Sequence, residues 1–296
     1  MPNVSANNIR IEYEIFGNNS AQPLLLIIGL GCQMLCWDEE LCKQLSEKGL
    51  YVIRFDNRDV GLSTKLEDAG IPDIIETIGA ILERKQIRAP YTLDHMADDT
   101  AGLMDALGIQ KAHVCGISMG AAIAQTVAIR HPRRVSSLIS IYGGTGNPRL
   151  PQPKPEALDF FISPAPEERE AFIEHFVKGW KMAAGTGSSF DEKWHRNLAA
   201  RSYDRAFYPQ GQVRQLVAVL AHGNRKRALA SVTAPTLVIH GTDDPVMPIE
   251  GGKDTAEAIP GADLLIVDGL GHGLPHGEAW PQIVDAIATH IRKASA

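Results

Sequence analysis

Ser118 stands between two glycines in Gly116-Ile117-Ser118-Met119-Gly120, a G-x-S-x-G spacing within the longer run HVCGISMGAAIAQ. A serine hydroxyl is a weak nucleophile alone. It needs an imidazole to take its proton and a carboxylate to orient that imidazole. Candidates for both lie far downstream: PTLVIHGTDDPVMP carries the adjacent acids Asp243 and Asp244, and VDGLGHGLPH carries His272 and His276. Were these groups to meet, the chemistry would be acyl transfer through a covalent serine intermediate. Each also has an ordinary reading, as a serine in a glycine-rich turn, a surface-loop histidine, or an aspartate forming a turn before Pro245.

The elements that would carry these residues separate the two readings. IRIEYEIFG alternates like a half-exposed strand, whereas PLLLIIG, YVIRFD, AHVCGIS, SLISIYGG, PTLVIHG and DLLIVDG are continuous apolar runs of the kind buried in a parallel sheet. Helices are expected over Trp37 to Lys48, Leu93 to Leu107, Gly120 to Arg130, around Lys253 to Ala258, and from Trp280 to Arg292. Ser118 therefore falls on a strand-to-helix turn, where a sharp elbow holds Oγ clear of the sheet and the helix N-terminus favours a developing oxyanion. The acids and the histidines also follow strands, so all three segments reach the sheet edge where open α/β folds bind ligands. Their order along the chain is Ser, Asp, His.

From Asn147 to about Val232 the strand-like runs stop. A proline-rich entry, NPRLPQPKP, leads to amphipathic stretches such as EEREAFIEHFVKGWKM. This predicts a core formed by residues 1–146 and 233–296, with residues 147–232 inserted as a helical cap, or lid, over the strand ends.

With these motifs the chain is similar to the α/β-hydrolases, on G-I-S-M-G, G-T-D-D-P-V-M-P and G-L-G-H; the resemblance runs from about Ile9 to the last helix. LLLIIGLGCQMLCW, VIRFDNRDVGLST and VCGISMGAAIAQTVAIRHPRRVSSL most resemble the serine carboxylesterases grouped with aclacinomycin methylesterase. The resemblance implies a mostly parallel central sheet flanked by helices, with the cap inserted after the family's sixth strand. It implies Ser118 as nucleophile, His272 as general base and Asp244 as orienting carboxylate. Asp243 is left to the loop surface and His276 to the rim. The oxyanion hole falls to the backbone N–H groups of Leu30 and Met119. The family commonly writes His-Gly at the first of these loops, and here Ile28 replaces the histidine; the donor is a main-chain N–H, so the hole can survive, but a loop-stabilising imidazole is missing.

The remaining features fit an enzyme acting on a small-molecule ester without cofactor or metal. A net charge of −6 over 296 residues, with no basic run, argues against nucleic acid and anionic membranes. The N-terminus lacks the pattern of a signal peptide. Cys32, Cys36, Cys42 and Cys115 lack disulfide or zinc spacing, and a reducing cytoplasm is the expected location. Asp56, Arg58 and Asp59 in FDNRDVGLST look like a charged catalytic cluster, but the resemblance implies a structural loop in which Arg58 pairs with acids. Met34, Trp37, Phe160, Phe161, Phe172, Trp180 and Trp194 are aromatic or apolar candidates for a substrate pocket, with core packing the commoner role. Two alternatives stand beside esterase: a ligand-sensing protein on a hydrolase scaffold, and other serine chemistries on lactones, C–C bonds, amides or in perhydrolysis. Homo-oligomerisation is left open.

Overall fold

All seven strand-like runs form strands, and an eighth precedes them. The computed structural model describes residues 2–83, 85–187 and 189–295. Its strands are Asn3–Ala6 (β1), Ile9–Phe16 (β2), Gln22–Ile27 (β3), Leu50–Phe55 (β4), Ala112–Ile117 (β5), Val135–Ile141 (β6), Thr236–Gly241 (β7) and Asp263–Val267 (β8). They make one sheet ordered β1-β2-β4-β3-β5-β6-β7-β8. β1 and β2 run antiparallel, as do β2 and β4, while β4, β3, β5, β6, β7 and β8 run parallel. The unexpected β1 pairs with β2 through Asn7 and Asn8, both at positive φ, a backbone that asparagine tolerates in tight hairpins.

The helices are Glu39–Glu47 (α1), Ile74–Leu82 (α2), Leu93–Ala106 (α3), Met119–Arg130 (α4), Pro155–Ile162 (α5), Arg169–Ala183 (α6), Glu192–Ala206 (α7), Pro209–His222 (α8), Lys226–Leu229 (α9), Ile249–Ala258 (α10) and Trp280–Ser295 (α11). Successive side chains of β3 go to opposite faces. Leu25 and Ile27 join a core with α3 and α4, and Leu24 and Leu26 join another with α1 and α11. Burial on both faces explains the unbroken apolar runs, each fully buried Leu or Ile contributing about 1.5–3 kcal/mol. β8 departs from this, because as the edge strand it leaves Leu264 and Ile266 exposed.

Between β6 and β7 the chain builds α5 to α9. α1 starts two residues later than the sequence pattern suggests, because Asp38 is its N-cap and accepts from the Glu40 N–H. Among the described residues, no helix is long and apolar enough to cross a membrane.

Candidate active site

β5 delivers Ser118 at a tight corner. Its φ of 58° and ψ of −121° are unusual for a residue with a side chain, and the corner is tied to β6 by Ser118 N–H donating to Ile141 O at 2.9 Å. The flanking glycines are required by contact. A Cβ on Gly116 would collide with the Gly120 carbonyl, and one on Gly120 with the carbonyls of Ile27 and Ile28. α4 begins at once with Met119, so the first-turn N–H groups lie beside the serine.

The segments after β7 and β8 complete a continuous chain of hydrogen bonds. Ser118 Oγ lies 2.8 Å from His272 Nε2, and His272 Nδ1 lies 2.7 Å from Asp244 Oδ2. Asp244 and His272 are buried, and Ser118 is half-buried. The other carboxylate oxygen, Asp244 Oδ1, accepts from Val246 N–H at 2.9 Å and Met247 N–H at 2.7 Å, which fixes the plane of the carboxylate. Asp243 points elsewhere: its carboxylate accepts from the backbone and hydroxyl of Thr186, and these bonds hold its pKa below the usual aspartate value. His276 also lies outside the chain. It stacks on Trp194 with ring centroids 4.0 Å apart and bonds to Asp38 at 2.5 Å.

Two neighbours of this chain were not singled out from sequence. Tyr142, at φ 54°, sets its ring 5.2 Å from that of His272. His240, fully buried on β7, donates from Nε2 to Met247 O at 2.7 Å and lies 3.5 Å from Asp244 Oδ2. Burial lowers its pKa, despite the opposing Asp244 charge, and so favours the neutral ring. Its position four residues before Asp244 on a buried strand was the available signal.

The loop after β3 faces the serine closely enough that a Cβ on Gly29 would sit 3.2 Å from Ser118 Cβ. Among the described residues, no protein acceptor pairs with the Leu30 or Met119 N–H, so both remain free to donate. The missing histidine is replaced by several bonds. Asn57 Nδ2 donates to Ile28 O at 3.1 Å, Gly31 N–H donates to Gln215 Oε1 at 2.9 Å, and Met34 N–H donates to Asp56 Oδ1 at 2.8 Å. The charged residues of FDNRDVGLST are engaged in structural pairs. Asp56 pairs with Arg205 at 2.8 Å, Arg58 grips Asp99 through two 2.6 Å bonds, and Asp59 grips Arg214 through two 3.0 Å bonds.

Above Ser118 a small pocket is walled by Leu30, Cys32, Phe161, Trp180 and Leu274. Leu30, Cys32, Phe161 and Trp180 also border a wider cavity of about 850 Å³, including its open mouth, between the sheet edge and α5 to α8. Phe160 and Phe172 line that cavity, whereas Met34, Trp37 and Trp194 do not; Trp37 packs edge-on against Trp280 instead. No Lys, Arg, Asp or Glu lines either space among the described residues.

Comparison with known proteins adds to this geometry. The alpha/beta hydrolase fold profile matches residues 22–279. Rhodomycin D methylesterase of Streptomyces sp. (strain C5) is 29% identical over 322 residues, covering 99% of this chain and 98% of the relative. A 2-hydroxy-6-oxononadienedioate/2-hydroxy-6-oxononatrienedioate hydrolase of Dechloromonas aromatica is 31% identical over 196 residues, covering 64% of this chain and 66% of the relative. Among solved structures, a meta-cleavage product hydrolase from Pseudomonas fluorescens IP01 superposes with a TM-score of 0.74 at 22% identity, covering 99% of this chain and 98% of that one.

Proposed function

The chain belongs to the alpha/beta hydrolase fold family, and on that premise we propose that it is a serine hydrolase of carboxylic esters. The observation that carries this reading is the unbroken Ser118–His272–Asp244 chain, at 2.8 and 2.7 Å, beside two free N–H groups. Ser118 Oγ attacks the ester carbonyl while His272 Nε2 takes its proton, and Asp244 stabilises the imidazolium. The Leu30 and Met119 N–H groups hold the tetrahedral oxyanion. Collapse expels the alcohol, which leaves with the proton from His272. Water, deprotonated by the same imidazole, then attacks the acyl-enzyme, and the acid departs as Ser118 recovers its proton. Residues 147–232 act as the cap of this site.

The absence of charged side chains along the described cavity walls favours an uncharged substrate, and the aromatic walls favour a flat, bulky one. A methyl ester of a flat, bulky acid meets both conditions, and methylesterase is the activity named for the Streptomyces relative. A dioate, the substrate named for the Dechloromonas relative, would bring two carboxylates to walls that offer no cation. The four free and buried thiols suit a reducing compartment, here taken as cytoplasmic.

A hydrolysis screen across acyl lengths and bulky methyl esters, paired with fluorophosphonate labelling, tests the proposal. Ser118→Ala should keep its fold, lose labelling, and turn over esters at least ~1,000-fold more slowly. A single stoichiometric burst with retained product would favour a ligand sensor instead. Persistent turnover in Ser118→Ala would remove the nucleophile assignment.

A further inference from the structure

The bond from Gly31 N–H to Gln215 belongs to a larger junction between α8 and the loops beneath it. Gly211 packs so closely on Asp59 O that a Cβ there would overlap it, and the Gln212 amide fills the space a Cβ on Gly31 would need. Gln215, fully buried, uses both ends of its amide: Oε1 accepts from Gly31 N–H at 2.9 Å, and Nε2 donates to Arg58 O at 2.8 Å. One side chain thus clamps two separate core loops. Arg214, its chain neighbour, anchors the same turn of helix through the buried pair with Asp59.

Gly31 directly follows Leu30. Because the peptide unit is planar, fixing the Gly31 N–H also fixes the Leu30 carbonyl and narrows the torsions that aim the Leu30 N–H. We propose that Gln215 is a positioning residue for the oxyanion hole, bracing from the inserted helices the loop that lacks a histidine at position 28. The inference rests on the Ser118 reading and on Leu30 as an oxyanion donor. Gln215 does not touch the substrate. It acts by holding a donor at the distance the tetrahedral oxygen requires, so its loss should weaken transition-state binding more than substrate binding.

The test uses the intact protein with Gln215→Glu, Gln215→Met and Gln215→Leu. Glu retains an acceptor for Gly31 N–H but loses the donor to Arg58 O, whereas Met and Leu of similar bulk lose both bonds. On a p-nitrophenyl ester, Met and Leu should lower kcat by about 10- to 100-fold with KM within about threefold, and Glu should lose less than either. A trifluoromethyl ketone reports the hole directly: Ser118 Oγ adds to its carbonyl carbon, the serine proton passes to His272, and the carbonyl oxygen becomes the bound alkoxide. Its inhibition constant should rise in step with the loss in kcat/KM. Folded Met and Leu variants with wild-type kcat and ketone affinity would overturn the proposal. A folded Met variant with both values unchanged decides the matter by itself if Leu fails to fold. Mass-spectrometric mapping of fluorophosphonate on the wild-type protein separates the two levels. Label on Ser118 with normal Gln215 variants refutes only the brace, and label elsewhere refutes the nucleophile assignment itself.

Discussion

Asp243 and Asp244 are adjacent and chemically identical, yet their environments predict opposite consequences for the same substitution. Asp244 uses one oxygen for the His272 Nδ1–H and the other for the Val246 and Met247 N–H groups. Asparagine has only one carbonyl oxygen to offer. If that oxygen keeps the two backbone donors, the amide NH₂ faces His272 Nδ1, and the ring must place its proton on Nε2, where it can no longer accept from Ser118. If the amide flips, NH₂ confronts two N–H groups in a buried site. Either arrangement also removes the charge opposite the imidazolium. The wrong-tautomer penalty in serine triads is about 10⁴-fold in kcat, equivalent to about 5 kcal/mol at ~1.36 kcal/mol per tenfold. Asp243→Asn should stay within about tenfold of wild type, since an amide oxygen still accepts from Thr186 and no bond to His272 is involved. The assay is kcat on p-nitrophenyl butyrate for both variants, with circular dichroism matched to wild type. An active Asp244→Asn beside an inactive Asp243→Asn would refute the argument.

Other consequences follow from charges away from the reacting atoms. Burial opposes protonation of His276, but its bonds to Asp38 and Asp191 outweigh that and raise its pKa above the ordinary 6.5. A pKa raised on folding stabilises most below the unfolded value, and the gain fades as pH rises through the folded one. The Tm advantage of wild type over His276→Asn should therefore be largest near pH ~6 and shrink toward pH ~9; a constant difference across the range would exclude a charged His276. Arg214→Leu strands the fully buried Asp59 carboxylate and should cost about 3–5 kcal/mol in urea unfolding, with Asp59→Asn, which tolerates the φ of 68° and keeps an acceptor for the Leu66 N–H, recovering part of the loss when added in the same chain. Equal stability of the single variant and wild type would mean that the pair holds nothing together.

The parts of the fold legible in the sequence were those in which local pattern and tertiary demand coincide. β3, β5, β6 and β7 read clearly because burial on both faces keeps their runs mostly apolar, with His113, Ser137, Ser140 and His240 as isolated buried polar positions that break no period. The β5–α4 elbow read clearly because its glycines are forced by backbone contact. β1 was missed since its four residues alternate weakly and its only strand partner is a neighbouring hairpin arm. α2 was missed for another reason: Ile75 and Leu82 lie exposed, so its apolar residues trace no buried face. Spacing put Asp244 and His272 at the same edge as Ser118, while choosing them over Asp243 and His276 required the family resemblance. Gln215 and Asn57 gave no comparable signal. A buried amide that joins two loops is defined by partners distant in sequence, and neither its type nor its spacing announces them.

Those distant partners alter what the inserted helices do. The helices between β6 and β7 hold the backbone on both sides of the reacting serine. Gly31 N–H donates to Gln215 on α8, and His272 N–H donates to Ala183 O at the end of α6 at 2.7 Å. The neighbouring Gly271 N–H donates to Ala184 O at 3.1 Å. That approach explains the glycine before His272, because a Cβ on Gly271 would strike the Ala183 carbonyl. The loop assigned to the oxyanion is thus tied to α8 through the Gln215 side chain, and the loop bearing the base is tied to the end of α6 through main-chain carbonyls. Loosening α6 or α8 displaces donor and base relative to Ser118, which the sheet holds through β5 and β6. Since near-attack geometry is sensitive to shifts of about 1 Å, such a change falls on kcat as well as on substrate binding.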